Sequence, residues 1–272
     1  MAGVLITGSG GLLGPYLLEA FPAAQAPRRS DCELADAGAV ARLIAAAKPD
    51  TVVHAAGFTD VDGCEREPVR ADRDNRQAAA NLAGALPAAS QLVFLSTDQV
   101  YPDEAGPHCE GGEAPVNAYG KSKLAGEAAV LRHPRGLVLR VNFFGPSRTQ
   151  GRSSLSDFVI ETLRAGRAAT FFRDVLFSPL HMTTLAGLIV EAARLGLTGA
   201  FNLGCREGAS KADFALLLAA RFGLSTATAT VGESSALPGR APRPKDLRMD
   251  VTRFESALGR SLPSLREEIA KL

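Results

Sequence analysis

The segment Val4-Leu5-Ile6-Thr7-Gly8-Ser9-Gly10-Gly11-Leu12-Leu13-Gly14 limits the folds open to this chain more than any other. A short β-branched run meets glycines at Gly8, Gly11 and Gly14, and a helical pattern follows over Leu12–Phe21. Glycine at the first two places lets the chain turn sharply and lets its backbone approach a pyrophosphate. The third lets helix and strand pack closely, while the helix N-terminus offers unpaired N–H groups to an anion. The same spacing serves an ordinary glycine-rich turn, and a motif of this kind is weak alone. Its place between a strand and a helix, in the first strand of a series, favours a dinucleotide.

That series continues as short apolar runs alternating with longer alanine-rich helical patterns. Strands are expected near Ala24–Pro27 (weakly) and at Thr51–His54, Leu92–Ser96 and Gly136–Val141, with helices over Ala37–Lys48, Ala71–Ala85 and Asn117–Leu131. Such alternation calls for a parallel sheet covered on both faces, and continuous apolar strands fit burial on both sides. After Phe143–Arg148 the regularity falls: helices over Ser153–Ala165, Thr184–Leu195 and Ala209–Phe222, strands at Ala168–Phe172 and Ala200–Leu203, then a Pro, Gly and Arg-rich loop at Leu237–Lys245. The expected fold is α/β, a Rossmann-type doubly wound parallel sheet with a small C-terminal substrate-binding lobe. Residues 1–145 form the dinucleotide-binding core, and 146–272 mainly the lobe, with some segments returning to the core. At 272 residues and 46% hydrophobic, the chain has enough apolar surface for both.

Thirty basic against 29 acidic residues give no reason to expect nucleic acid or an acidic membrane surface as partner. No leader-like segment and no bilayer-length apolar run is visible, so a cytoplasmic protein is expected. Cys32, Cys64, Cys109 and Cys205 are far apart and read as reduced thiols. His54, His108, His133 and His181 share neither a helix face nor metal spacing, so each is expected to be structural and no metal is expected. Asp60 and Asp62 read as capping or backbone-bonding carboxylates, and Arg266–Glu268 as a solvated helix face.

The chemistry-bearing residues cluster in two stretches. "LVFLSTDQVY" ends a strand with Ser96, Thr97 and Asp98, and hydroxyls at such a C-terminal end face the cofactor crevice of a doubly wound fold. "NAYGKSK" puts Tyr119 and Lys123 four apart, on one helix face. A nearby ammonium is expected to stabilise tyrosinate and lower the pKa of the phenol, which can exchange a proton with a substrate oxygen while Thr97 orients that oxygen. Alone, Tyr-x-x-x-Lys is common by chance; with the glycine turn and the strand-end hydroxyl it becomes a coherent set for carbonyl reduction. Arg28 and Arg29 stand where an arginine can accommodate a 2′-phosphate, which favours NADP(H) over NAD(H). Two solvated loop arginines remain the alternative, with Asp31 or Glu33 meeting the ribose or adenine. Arg240, Arg243 and Lys245 either reach a diphosphate or form a flexible basic loop.

These stretches, with "HAAGFTDVDGCEREP", "SDF" at Ser156–Phe158, "FSPLHMTTLA" and "RPKDLRMDVTRFESALG", resemble the extended short-chain dehydrogenase/reductases over nearly the whole chain. The branch most resembled is that of the dTDP-4-dehydrorhamnose reductases; the regulatory subunit of methionine adenosyltransferase shares the general pattern. The resemblance implies Thr97, Tyr119 and Lys123 as catalytic hydroxyl, proton donor and ribose-binding lysine. It places Gly8, Gly11, Leu12, Leu13 and Gly14 by the pyrophosphate, and Glu33 and Leu34 by the adenine. Ala56, Gly57, Phe58, Thr59 and Ser96 line the cofactor, and Asn75 supports the site. Substrate contacts fall on Thr59, Val61, Thr97, Asp98, Gln99, Asn142 and Phe143. The family has an aromatic residue where Gln99 stands, a tryptophan this chain lacks, and usually Asp where Glu33 stands, so the sugar itself stays open. The implied activity is NAD(P)H-dependent reduction of a nucleotide-linked 4-keto-6-deoxy sugar. A nucleotide-sugar epimerase or dehydratase, and a non-catalytic dinucleotide-binding regulatory subunit, are the alternatives. The expected partner is a nucleotide sugar, with a second copy in a homodimer left open.

Overall fold

The structure, a computed structural model, describes residues 3–234 and 239–272. The chain runs β1 (Val4–Thr7), α1 (Gly14–Ala20), α2 (Ala37–Ala47), β2 (Thr51–His54), α3 (Val61–Arg66) and α4 (Pro68–Ala71). A π-helical stretch at Asp72–Gln77 joins α4 to α5 (Ala78–Ala85), so the helix expected from Ala71 already begins at Pro68. β3 (Gln91–Thr97) ends in a 3-10 turn at Asp98–Val100, and α6 (Ala118–Val130) leads to β4 (Gly136–Val141). There follow β5 (Phe143–Phe144), α7 (Leu155–Arg164), β6 (Ala169–Phe172), β7 (Leu176–Phe177), β8 (Leu180–His181), α8 (Met182–Arg194) and β9 (Gly199–Leu203). The last elements are β10 (Ala209–Ser210), α9 (Lys211–Phe222), β11 (Ala229–Gly232), β12 (Asp246–Leu247), α10 (Thr252–Leu258) and α11 (Leu265–Ile269).

The central sheet has the order β1-β2-β3-β4-β9, with every pairing parallel. Side chains alternate between two cores. Ile6, Val53, Val93, Leu95 and Leu139 pack on the side of α1 and α8; Leu5, Val52, Leu92, Phe94 and Val138 pack on the side of α2 and α5. Burial of both faces is why the strands read as unbroken apolar runs. The chain returns to this sheet through α8 and β9, and the small sheets β10-β7-β12, β11-β6 and β5-β8 are built from segments before and after that return.

The weak second strand contracts to a single bridge. Gln25 accepts from Ile6 N and donates to Val4 O, both at 2.8 Å, and no strand forms there. The next residue able to donate to β1 in this parallel ladder is Pro27, which has no N–H. Even so, the bridge lies on one side of β1 and β2 on the other, so the chain diverges at the C-terminal end of β1. Such a divergence opens the crevice in which doubly wound folds bind ligands.

Two glycines set how tightly the crevice floor is built. Gly8 has φ +83°, and a Cβ there would meet Ala56 N at 2.4 Å; one on Gly14 would meet Ser9 O at 2.0 Å. The C-terminus departs from expectation. Glu268, read as part of a solvated face, is fully buried, and it accepts from His181 N at 2.7 Å and Thr184 Oγ1 at 2.9 Å while pairing with Lys271. Leu237 and Pro238, at the start of the basic loop, lie outside the described residues. Among the described residues no helix is long and apolar enough to cross a membrane.

The floor packing gives a direct test. Gly14→Ala is expected to lower stability by about 3 kcal/mol through backbone overlap, whereas Gly10→Ala, with nothing within 4 Å of its Cβ, should change it by less than about 1 kcal/mol. Urea denaturation of the two variants checks the contrast.

Candidate active site

Asn117 decides where α6 begins. Its side chain accepts from Gly120 N at 2.8 Å, capping α6, and donates to Gln99 Oε1 and Pro242 O, both at 3.0 Å. The cap sets Tyr119 in the first turn of α6 and Lys123 one turn later. Tyr119 is buried in a small cluster with Cys64 and Ala71, against which Phe58 and Val61 pack.

At the end of β3 the two hydroxyls part. Ser96 is in phase with Leu92 and Phe94, so it points towards α6 and donates to Glu127. Glu127 in turn is gripped by Arg140, whose Nη2 lies 2.6 Å from Oε2. Ser96, expected at the cofactor, therefore has its hydroxyl committed to this buried ion pair. Strand periodicity already contained that outcome, because neighbouring residues of a strand face opposite ways. Thr97 faces the phenol of Tyr119 instead. It accepts from Gln99 N at 3.2 Å and donates to Asp98 Oδ1 at 3.1 Å. Asp98 is itself buried, and its Oδ2 accepts from Asn142 Nδ2 at 2.5 Å.

Lys123 does not act on the phenol in the way the four-residue spacing suggested. Its Nζ donates to Leu95 O at 2.6 Å and sits 3.9 Å from the centre of the Phe94 ring. Burial lowers its pKa to about 7, with Glu127 opposing. The pKa of Tyr119 is raised rather than lowered: burial dominates, Thr97 opposes, and Asp98 and Cys64 reinforce the rise. The phenol therefore stays protonated at neutral pH. Beneath lies His54, whose Nδ1 is 2.7 Å from Thr7 Oγ1 and stacked on Phe94; burial lowers its pKa to about 3, and the neighbouring Lys123 adds to this. It is a neutral support, as its place at a strand end implied.

Asn75, fully buried in the π-helical stretch, ties the crevice loop to α6. It accepts from Phe58 N at 2.8 Å and donates to Phe58 O at 3.0 Å and Ser122 Oγ at 2.8 Å. Gly57 lies beside it, and a Cβ there would come 4.0 Å from Lys123 Nζ. Gly8, the Ala55–Phe58 loop, Lys123, Tyr119 and Thr97 thus form a contiguous line. Of the other residues carried from the sequence, Thr59 is exposed and Val61, Phe143 and Leu12 are half-buried, while Leu13 belongs to the core and Gly11 N closes the turn onto Gly8 O at 2.9 Å. Leu34 O accepts from Asn81 at 2.8 Å. Arg28 and Arg29 lie exposed on the rim; Arg29 reaches Glu33 at 3.5 Å and Asp74 at 3.4 Å.

One feature escaped the sequence altogether. Asp62 takes Arg243 in a two-pronged pair at 3.0 and 2.8 Å and accepts from Ala241 N at 2.8 Å. Arg243 holds the Asp62 carboxyl at a pKa of about 2. Lys245 pairs with Asp174 at 3.0 Å. The basic segment is consequently a strap clasped to both parts of the chain, with its pairing to residues 62 and 174 invisible to local pattern.

A parallel sheet diverging at a glycine turn, with a buried Thr–Tyr–Lys set at its C-terminal mouth, defines an extended short-chain dehydrogenase/reductase. The chain belongs within that class to the RmlD substrate binding domain family, which matches residues 1–272. It is 30% identical over 291 residues to the probable low-salt glycan biosynthesis reductase Agl14 of Haloferax volcanii, covering 98% of this chain and 96% of that protein. It is 34% identical over 257 residues to dTDP-4-dehydrorhamnose reductase of Mycolicibacterium smegmatis (89% and 76%), and 28% identical over 281 residues to methionine adenosyltransferase 2 subunit beta of Rattus norvegicus (96% and 84%). Among solved structures, dTDP-4-dehydrorhamnose reductase of Clostridium acetobutylicum superposes with a TM-score of 0.90 at 25% identity, over 98% and 97% of the two chains.

A lysine titrating near 7 in the native state and near 10.4 when unfolded has a definite sign. Between those values the unfolded chain binds more protons, so stability without ligand rises with pH. Lys123→Met should flatten part of that rise and be more stable than the parent below pH 7, by on the order of 1–3 kcal/mol. Urea titrations at pH 6.5 and 9 read the difference.

Proposed function

We propose that this protein is an NAD(P)H-dependent reductase of a nucleotide-linked 4-keto-6-deoxy sugar. The observation that carries the proposal is the buried phenol of Tyr119, kept protonated beside Thr97 at the mouth of the dinucleotide crevice. The lack of room for a side chain at Gly8 and Gly14 fits a backbone cradle for a pyrophosphate. When bound there, the nicotinamide supplies the hydride.

Tyr119 O–H gives its proton to the substrate oxygen as charge develops on it; the phenol is neutral at pH 7, and burial, by raising its pKa, makes it a weaker acid than a solvated phenol. Thr97 positions that oxygen; as it stands its own proton points to Asp98, so donating to the carbonyl takes a rotation about the Cβ–Oγ1 bond. Lys123, one helical turn from Tyr119 and adjacent to Gly57, would hold the ribose hydroxyls. Gln99, Asn142 and Phe143 would face the sugar, and Arg28 and Arg29 would meet a 2′-phosphate, giving NADPH preference over NADH.

Tyr119→Phe should lower kcat by about 100-fold or more and leave dinucleotide affinity nearly unchanged, measured as NADPH oxidation with a dTDP-linked 4-keto sugar. Turnover near the parent value would remove Tyr119 as the acid. Tight dinucleotide binding with no turnover on any keto sugar would point to a binding subunit instead. Arg29→Ala should cut the NADPH-over-NADH ratio of kcat/KM by about tenfold.

A further inference from the structure

Three guanidiniums converge on one carboxylate at the rim of the crevice. Asp74 lies in the π-helical stretch, immediately before Asn75, and its side chain is only 7% exposed. Arg73 takes Oδ1 with both Nε and Nη2, each at 2.8 Å. Oδ2 is left to two looser partners, Arg29 at 3.4 Å and Arg70 at 3.6 Å. Arg70 is otherwise engaged, with Glu67 at 3.2 Å and with its guanidinium 4.2 Å from the centre of the Phe58 ring. Because Asn75 grips both Phe58 and Ser122, the cluster rides on the backbone that fixes the crevice loop.

The division between Oδ1 and Oδ2 decides how free Arg29 is. A carboxylate held this far from water needs a cation at contact, and Arg73 supplies one at short range. Burial raises the pKa of Asp74, but Arg73 and then Arg29 more than reverse the rise. The Arg29 side chain is 64% exposed, and its other contact, to a half-exposed Glu33, is 3.5 Å long. Exposed pairs at such separations hold a side chain weakly. Arg29 is therefore kept at the rim by contacts that another anion can replace.

We infer that Arg73 is a positioning residue for the 2′-phosphate of a dinucleotide: it occupies the buried Asp74 carboxylate and so leaves Arg29 available to that phosphate. This rests on the cofactor reading above, in which Arg29 meets the 2′-phosphate. The phosphate and Asp74 compete for one guanidinium, and the outcome depends on whether Asp74 already has a cation of its own. Without Arg73, Oδ1 loses its contacts and Asp74 draws Arg29 inward, since Arg70 is tied to Glu67 and Phe58. Arg73 itself touches no part of the cofactor. The choice between two cofactors that differ by one phosphate is thus set through a carboxylate 45 residues along the chain from Arg29.

The test uses the full chain with Arg73→Ala, Arg29→Ala and the double variants Arg73→Ala/Asp74→Asn and Arg73→Ala/Arg29→Ala. Isothermal titration calorimetry gives Kd for NADP+ and NAD+, which are identical but for the 2′-phosphate, and the readout is the ratio of the two. Arg73→Ala should lower the preference for NADP+ by about fivefold. Adding Asp74→Asn should restore it to within about twofold of the parent, since no buried carboxylate is left to compete. In the Arg29→Ala background, Arg73→Ala should move the ratio by less than about twofold, because the residue it acts through is gone. An unchanged ratio in Arg73→Ala overturns the inference, and so does a loss that Asp74→Asn fails to restore. A loss that persists without Arg29 overturns it as well, by showing Arg73 to act on the phosphate itself. If Arg73→Ala fails to fold, Arg73→Gln takes its place throughout. A parent that binds NADP+ no more tightly than NAD+ defeats the reading of Arg29 and this inference with it, whereas any of the preceding outcomes in a parent that prefers NADP+ defeats only the role of Arg73.

Discussion

Backbone passing against backbone at the end of β1 is the constraint on which the rest of the site depends. Gly8 runs so close to Ala55 and Ala56 that no side chain fits, and α1 is drawn onto Ser9 by the same logic at Gly14. Contact at that distance fixes the crevice floor before any functional side chain is placed. The Ala55–Phe58 loop is then pinned from the far side by Asn75. Because Asn75 also holds Ser122, next to Lys123, the crevice loop and α6 share one rigid mount.

Around this mount the protein buries an unusual set of ionisable groups, and they divide by how they are answered. Arg140 and Glu127 answer each other fully, with several hydrogen bonds and Ser96 and Glu113 in attendance. Such a network is costly to break from either end. Lys123 has only a carbonyl and an aromatic face, and its charge is correspondingly marginal near neutrality. Asp98 is answered by two neutral donors, Asn142 Nδ2 and Thr97 Oγ1, and burial raises its pKa. The Arg140–Glu127 pair lies on the α6 side of the sheet, and Lys123 and Asp98 lie near the C-terminal end of β3. Perturbed groups of this kind gather at functional sites because the chemistry needs charges that can be moved or reoriented.

The phenol shows how context reversed a local rule. Four-residue spacing puts Tyr119 and Lys123 on one helix face, and a shared face suggests a lysine that lowers the pKa of the phenol. In the folded chain the lysine turns down to Leu95 and Phe94, and burial with Asp98 nearby leaves Tyr119 a stronger holder of its proton. The raised pKa keeps the phenol neutral and weakens it as an acid. The sequence contained the partners but not the direction of the lysine side chain.

Most strands and helices were legible, since burial on both faces writes an unbroken apolar run and amphipathic packing writes a helical period. The glycine turn, the Tyr119–Lys123 pair and Thr97 were legible for the same reason: each depends on neighbours within a few residues. The opposite facing of Ser96 and Thr97 was also present, as strand alternation. What tertiary structure alone decided are the pairings between distant residues: Asp62 with Arg243, Glu268 with the start of α8, and Asn75 with Phe58 and Ser122. A charged residue looks the same in sequence whether it ends in water or against an opposite charge. Local periodicity sets which way a side chain leaves its own element, and only the packing of elements far apart in the chain sets what it meets.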